Sequence, residues 1–155
     1  MEEIRKNNRG FPPNAIRLCI EQWGDAVQGR AYSRLSATPL KFENCFELLL
    51  RTDKLFDRCG YPQSFSDKKD FKGNKVTGRY TPPQTLMEEG EILRQQGELY
   101  TLDIFVRSRR NAGWQGIVTY QDGSPPEEFF SEMELLECIG KCKTRKPILN
   151  IEKTI

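Results

Sequence analysis

Apolar and polar positions alternate over two stretches of the chain. Ile16, Leu18 and Ile20 alternate with Arg17, Cys19 and Glu21, and Ile104 and Val106 alternate with Asp103, Phe105 and Arg107. A period of two puts each apolar set on one face of a strand. Gly24-Asp25 follows the first strand and Arg110-Asn111-Ala112-Gly113 the second, so each reads as entering a hairpin. Short runs at Pro39 to Glu43 and Pro126 to Phe130 read as third strands. They lead directly into Asn44-x-x-Glu47 and Ser131-x-x-Glu134, two capping boxes that predict helices near 45–58 and 132–142. In each box the cap side chain accepts from the third helical amide, and the glutamate is expected to reach back to the cap's own N–H. Phe46, Leu49, Leu50 and Phe56 are expected on one broad face of the first helix. Met133, Leu136, Ile139 and Gly140 are expected on the corresponding face of the second.

The two patterns are copies of one another. With residues 28–49 laid over residues 115–136, seven pairs are identical: Gln28 and Gly29 on Gln115 and Gly116, Pro39 on Pro126, Phe42 on Phe129, and Glu47-Leu48-Leu49 on Glu134-Leu135-Leu136. Ordinary composition would give about one or two over that length. Upstream, Ile104 and Val106 line up with Ile16 and Leu18 at offset 88, ascribed here to a second hairpin one residue longer. The fold predicted is α+β, with two pseudo-twofold-related β-β-β-α units sharing one core. Their antiparallel sheet would carry two helices on one face. A unit of about forty-five residues is too small to hold a core alone. The organisation expected is a single domain, with a first unit over 11–59, a connection over 60–96, a second unit over 97–143 and a tail or edge strand over 144–155.

The connection is rich in Gly and Pro, and its run Asp67 to Lys75 is almost wholly polar. It reads as a long loop, with a short helix over Thr85 to Gln96. Ile148, Asn150 and Ile151 suggest an edge strand in the tail.

Composition narrows the chemistry. Twenty-four Lys and Arg against twenty-two Asp and Glu leave a net charge of +2, and the 155 residues contain no histidine. Imidazole-based catalysis and imidazole metal sites are thereby excluded within the chain. The five cysteines, at 19, 45, 59, 138 and 142, include no C-x-x-C pair and read as reduced, mostly buried thiols. Cys138 and Cys142 fall four apart on the second helix. No stretch has the length of a membrane span, and Met1 to Lys6 lacks the apolar core of a secretion signal, so a cytoplasmic protein is expected. No phosphate-binding loop or nucleophile–base pair is present, and neither an enzyme nor a cofactor is expected.

Arg109, Asn111, Trp114, Gln115, Gly116 and Glu134-Leu135 form a pattern, Arg-x-Asn-x-x-Trp-Gln-Gly followed by a Glu-Leu-rich helix. It resembles that of a group of short bacterial proteins of uncharacterised role. The resemblance covers roughly residues 97–141, with Tyr120 where a tryptophan is expected; it implies a small bacterial intracellular module and points to no activity.

Pleating places Trp114, Gly116, Val118 and Tyr120 on one face, with Val27, Gly29, Ala31, Ser33 and Leu35 as their equivalents in the repeat. Trp114 reads as a core anchor, and Gly29 and Gly116 as points where a helix or ring packs closely. The opposite face would carry Arg17, Gln28, Arg30, Tyr32 and Arg34 from one hairpin, with Phe105, Arg107, Arg109 and Gln115 from the other. If that face is open, arginine and aromatic rings suit a protein interface, either with an unknown partner or with a second copy. The same residues suit stacking and phosphate contacts with single-stranded RNA or DNA. The expectation is a binding or regulatory module that works through Arg17, Arg30, Tyr32, Arg34, Phe105, Arg107 and Arg109.

Overall fold

The computed structural model describes residues 10–62, 64–65, 83–111 and 113–144. The class is α+β. Strands β1 (Ala15–Gln22), β2 (Gln28–Tyr32) and β3 (Leu40–Phe42) precede helix α1 (Cys45–Cys59). After β4 (Ser64–Phe65) and the short helix α2 (Glu89–Leu93) come β5 (Tyr100–Arg110), β6 (Gln115–Tyr120), β7 (Glu127–Phe129) and α3 (Glu132–Lys141). A 3₁₀ turn, Cys142–Thr144, follows. Six strands form an antiparallel sheet in the order β3-β2-β1-β5-β6-β7, and β4 runs parallel to the far end of β5. The polar run 67–75 and the suggested edge strand in the tail lie outside the described residues. No helix among the described residues is long and apolar enough to cross a membrane.

β1 and β5 meet at the centre, with Ile16 across from Ile104, Arg17 from Asp103 and Leu18 from Leu102. Central strands are buried on both sides, and this overrides the simple reading of their alternation. Ile16, Leu18, Ile20, Leu102, Ile104 and Val106 join one apolar cluster, which also takes in Leu48, Leu55 and Phe56 of α1 and Leu135 and Ile139 of α3. Ala15, Cys19 and Phe105, on the other side, join a second cluster with Phe11, Tyr32, Met87 and Ile92.

The two hairpins carry matching irregularities. A β-bulge interrupts β1–β2 between Ile20 and Gln22, and another interrupts β5–β6 between Val106 and Ser108. Leu18 faces Ala31 in the first hairpin, and Ile104 faces Val118 in the second. The upstream strands therefore correspond at offset 86 rather than 88. A second loop lengthened by one residue moves the upstream strand in that direction.

Both capping boxes form. Asn44 Oδ1 accepts from Glu47 N at 2.7 Å and Ser131 Oγ from Glu134 N at 3.2 Å. The glutamates reach one residue beyond the expected cap N–H: Glu47 Oε1 accepts from Glu43 N and Glu134 Oε1 from Phe130 N, each at 2.8 Å. The buried face of α1 is Leu48, Thr52, Leu55 and Phe56, at i, i+4, i+7 and i+8, and that of α3 is Leu135, Cys138 and Ile139. Phe46, Leu50 and Met133, expected inside, point outward. The cap fixes the helical phase, and it places Leu48 rather than Phe46 over the sheet.

Candidate functional site

The motif Arg109-x-Asn111-x-x-Trp114-Gln115-Gly116 is spent on the architecture of one hairpin. The bulge after Val106 inserts an extra residue into β5 and reverses the side on which the next side chains fall. Arg107 stays exposed, whereas Arg109 turns toward α1 and is only 3% exposed. There its Nη1 donates to Asp53 Oδ1 at 3.0 Å and Asp57 Oδ1 at 2.8 Å, and its Nε donates to the Pro62 carbonyl at 2.7 Å. The guanidinium lies 5.4 Å from the centre of the Phe56 ring. Trp114, 1% exposed, packs against Phe56 at 5.7 Å and donates its indole N–H to Asp53 Oδ1 at 2.9 Å. One helix turn, Asp53 to Asp57, thus anchors both motif residues.

The remaining motif residues close the loop. Asn111 adopts φ 55°, the left-handed region in which asparagine is among the best-tolerated side chains. Gln115 Oε1 accepts from Ser108 Oγ at 2.7 Å and Arg110 N at 2.9 Å, which ties the loop's two ends together. A Cβ on Gly116 would fall on the Phe105 carbonyl oxygen, and one on Gly29 would fall on that of Cys19. The close neighbour is the backbone of the adjacent strand, where the sequence suggested a helix or a ring; only at Gly116 does a ring, that of Phe129, also stand close.

The sheet face expected to be open is covered. Residues 86–97 run across it, with Met87 and Ile92 buried against Ala15, Cys19, Tyr32 and Phe105. Arg17, 5% exposed, grips Asp103 through two bonds of 2.8 and 2.9 Å and donates to the Leu93 carbonyl at 3.0 Å. Burial opposes its charge, but the bonds to Asp103 hold its pKa above the ordinary value. Arg30 pairs with Glu21 at 2.6 Å, donates to the Tyr32 hydroxyl and stacks on that ring at 5.3 Å. Arg34 donates to the Met87 carbonyl at 3.1 Å and lies 3.7 Å from Glu89. Phe105 is half-buried, and exposed Arg107 pairs with Glu128 at 3.3 Å. The expected binding residues therefore do not form one surface. Arg17, Arg30, Tyr32, Arg34 and Phe105 lie beneath the covering segment, Arg107 is at the surface, and Arg109 is on the α1 side.

Two features went unread in the sequence. At the β7–α3 corner, Glu127 accepts from the Tyr120 hydroxyl at 2.6 Å, Lys141 Nζ at 2.8 Å and Cys138 Sγ at 3.5 Å. It borders a pocket of about 330 Å³ lined also by Glu128, Glu134 and Glu137. The bonds from Lys141 and Tyr120 hold the Glu127 carboxyl at about 2, while burial and the bond to Glu127 push the Tyr120 phenol well above its usual range. Among the described residues no group of three or more Cys, Asp or Glu side chains is placed to hold a metal ion. The second feature is apolar. Phe46 (72% exposed) and Met133 (67%) occupy matching positions at offset 87 in the first turns of α1 and α3. Leu50, four residues on from Phe46, and Phe130 (61%), just before the α3 cap, are also exposed. The repeat itself was the available signal, since it pairs Phe46 with Met133.

No protein-family model matches the chain, and no curated protein or solved structure matches it.

Proposed function

We propose that the chain is a protein-binding module that meets its partner through the outward ends of α1 and α3. The observation that carries this reading is the exposure of Phe46, Met133 and Phe130, large side chains of the kind enriched at interfaces. Binding of RNA or DNA is the weaker reading. All five arginines expected to meet phosphate already pair with carboxylates: Arg17 with Asp103, Arg30 with Glu21, Arg34 with Glu89, Arg107 with Glu128 and Arg109 with Asp53 and Asp57. A phosphate would have to displace those partners, and the net charge of +2 offers little long-range attraction.

We also infer that the chain is a tandem duplication whose two β-β-β-α units share one core, with α1 and α3 on the same side of the sheet. Equal registers support it: Gly29–Phe42 and Ala31–Leu40 recur as Gly116–Phe129 and Val118–Glu127. The contact of Arg109 with α1 joins the second unit to the first unit's helix, and both helices feed one apolar cluster.

The test of the binding surface is a photo-crosslinking residue placed at Phe46 or Met133 in the full chain in its host cell, with exposed Lys54 as control. The expected product is one discrete protein adduct from both apolar positions, either a second copy or another protein, and none from Lys54. Sedimentation of wild type and of the Phe46→Ser/Met133→Ser variant over a range of concentrations identifies self-association. No adduct at either position, with a monomer at every concentration, would overturn the reading.

A further inference from the structure

The segment over the sheet face is held in an unusual way, by arginines of the sheet gripping its main chain. Arg34 donates to the Met87 carbonyl, Arg17 to those of Leu93 and Gln95, and Arg30 to that of Gln96, at 3.1, 3.0, 3.4 and 3.4 Å. In return the amides of Leu86 and Met87 donate to the Arg34 carbonyl at 2.7 and 3.3 Å. Only two of the segment's apolar side chains point inward, Met87 and Ile92; Leu86 and Leu93 are exposed. Its helix, α2, has five residues and no side-chain cap. A helix that short has no stability of its own, and local stability follows the number of buried apolar contacts. β1 and β5, by contrast, are buried on both faces.

We propose that residues 86–97 are a detachable strap, which opens as a unit of its own and uncovers a groove for a protein segment. The occupant that fits is the kind of segment the strap itself is: two apolar side chains five residues apart, followed by carbonyls left free to accept from Arg17 and Arg30. The groove floor is Ala15, Cys19, Tyr32 and Phe105. Asp103 and Glu21 keep Arg17 and Arg30 paired when the strap lifts, and only Arg34 loses its carboxylate, that of the strap's own Glu89. The opened face therefore suits a peptide carrying one acidic residue there better than a polyanion. This surface is separate from the helix ends, and its test does not depend on them.

Cys19 is fully buried under the strap and reports on its opening. The experiment is thiol labelling of the full chain at increasing urea below the unfolding transition, with modification at Cys19 read by peptide mass mapping. The expected Cys19 rate rises only shallowly with urea, because little surface is exposed when the strap lifts. Ile92→Ala should raise the rate in water at least about tenfold, since such truncations weaken a contact by more than one decade's worth of free energy. A synthetic peptide of residues 84–97 added to that variant should slow labelling again. A Cys19 rate with the full urea slope of global unfolding would show that the strap does not open separately, and wild type alone decides this if the variant fails to fold. Labelling of a folded variant that the peptide leaves unchanged would overturn the groove.

Discussion

Arg17 stands directly across from Asp103 in the central strand pair, and the two side chains close a two-bond ion pair at 2.8 and 2.9 Å. The flanking pairs, Ile16–Ile104 and Leu18–Leu102, step symmetrically away from it. The strap covers the arginine, so removing Asp103 would leave a buried cation without its carboxylate. Asp103→Ala is expected to cost about 3 kcal/mol in urea unfolding. Arg17→Met/Asp103→Leu, which removes both charges and fills the space, should recover most of that loss. A single variant that costs no more than a surface pair would mean the cation is solvated.

Trp114 combines packing with a single polar bond. Trp114→Ala should destabilise by about 3–5 kcal/mol, as truncation of a buried aromatic does. Trp114→Phe retains a ring beside Phe56 but takes the indole N–H from Asp53, and is expected to cost about 1–2 kcal/mol. Asp53 also holds Arg109, so Asp53→Ala should cost more than Trp114→Phe. The reverse order would place the anchoring function elsewhere.

Gly29 and Gly116 face the same obstacle, a carbonyl oxygen of the neighbouring strand where a Cβ would sit. Main chain in a sheet cannot move aside as a side-chain end can. Gly29→Ala and Gly116→Ala should therefore each cost about 3 kcal/mol, the upper end of the overpacking range. Gly116 also approaches the Phe129 ring, so its substitution should be at least as costly as that of Gly29. A neutral alanine at either position would remove the physical reason for the shared Gln-Gly.

The order of strands and helices was legible because alternation, turn residues and two capping boxes are local signals. The elements at 40–42, 45–59, 127–129 and 132–141 follow from them within a residue or two. What the sequence hid depended on distant contacts. Nothing local tells that Met87 and Ile92 land on Cys19 and Tyr32, so Arg17 and Arg34 read as free when they hold a strap. The β-bulge before Ser108 was equally silent, and by one inserted residue it moves Arg109 from the expected face to the α1 side. Both errors enlarged the apparent binding surface.

Three groups whose titration the fold shifts, Glu127, Cys19 and Tyr120, contribute to the pH dependence of stability. Glu127 is held at about 2 by Lys141 and Tyr120, below its unfolded value of about 4.3. The fold therefore favours its ionised form: the contribution is complete above about pH 5 and is lost as pH falls toward 2. Its carboxylate is partly exposed, so screening keeps the effect below about 1 kcal/mol. Cys19 behaves in the opposite sense. Burial pushes its thiol to about 11, above an unfolded value of about 8.5, so its contribution is complete below pH 8 and fades as pH rises through 11. The raised Tyr120 phenol adds to the same alkaline loss. The melting temperature should accordingly be flat between about pH 5 and 8 and fall on both sides. Glu127→Gln should flatten the acid limb, and Cys19→Ala should soften the alkaline one after allowance for its lost packing. Acid limbs that superimpose for wild type and Glu127→Gln would place the proton uptake on another carboxylate.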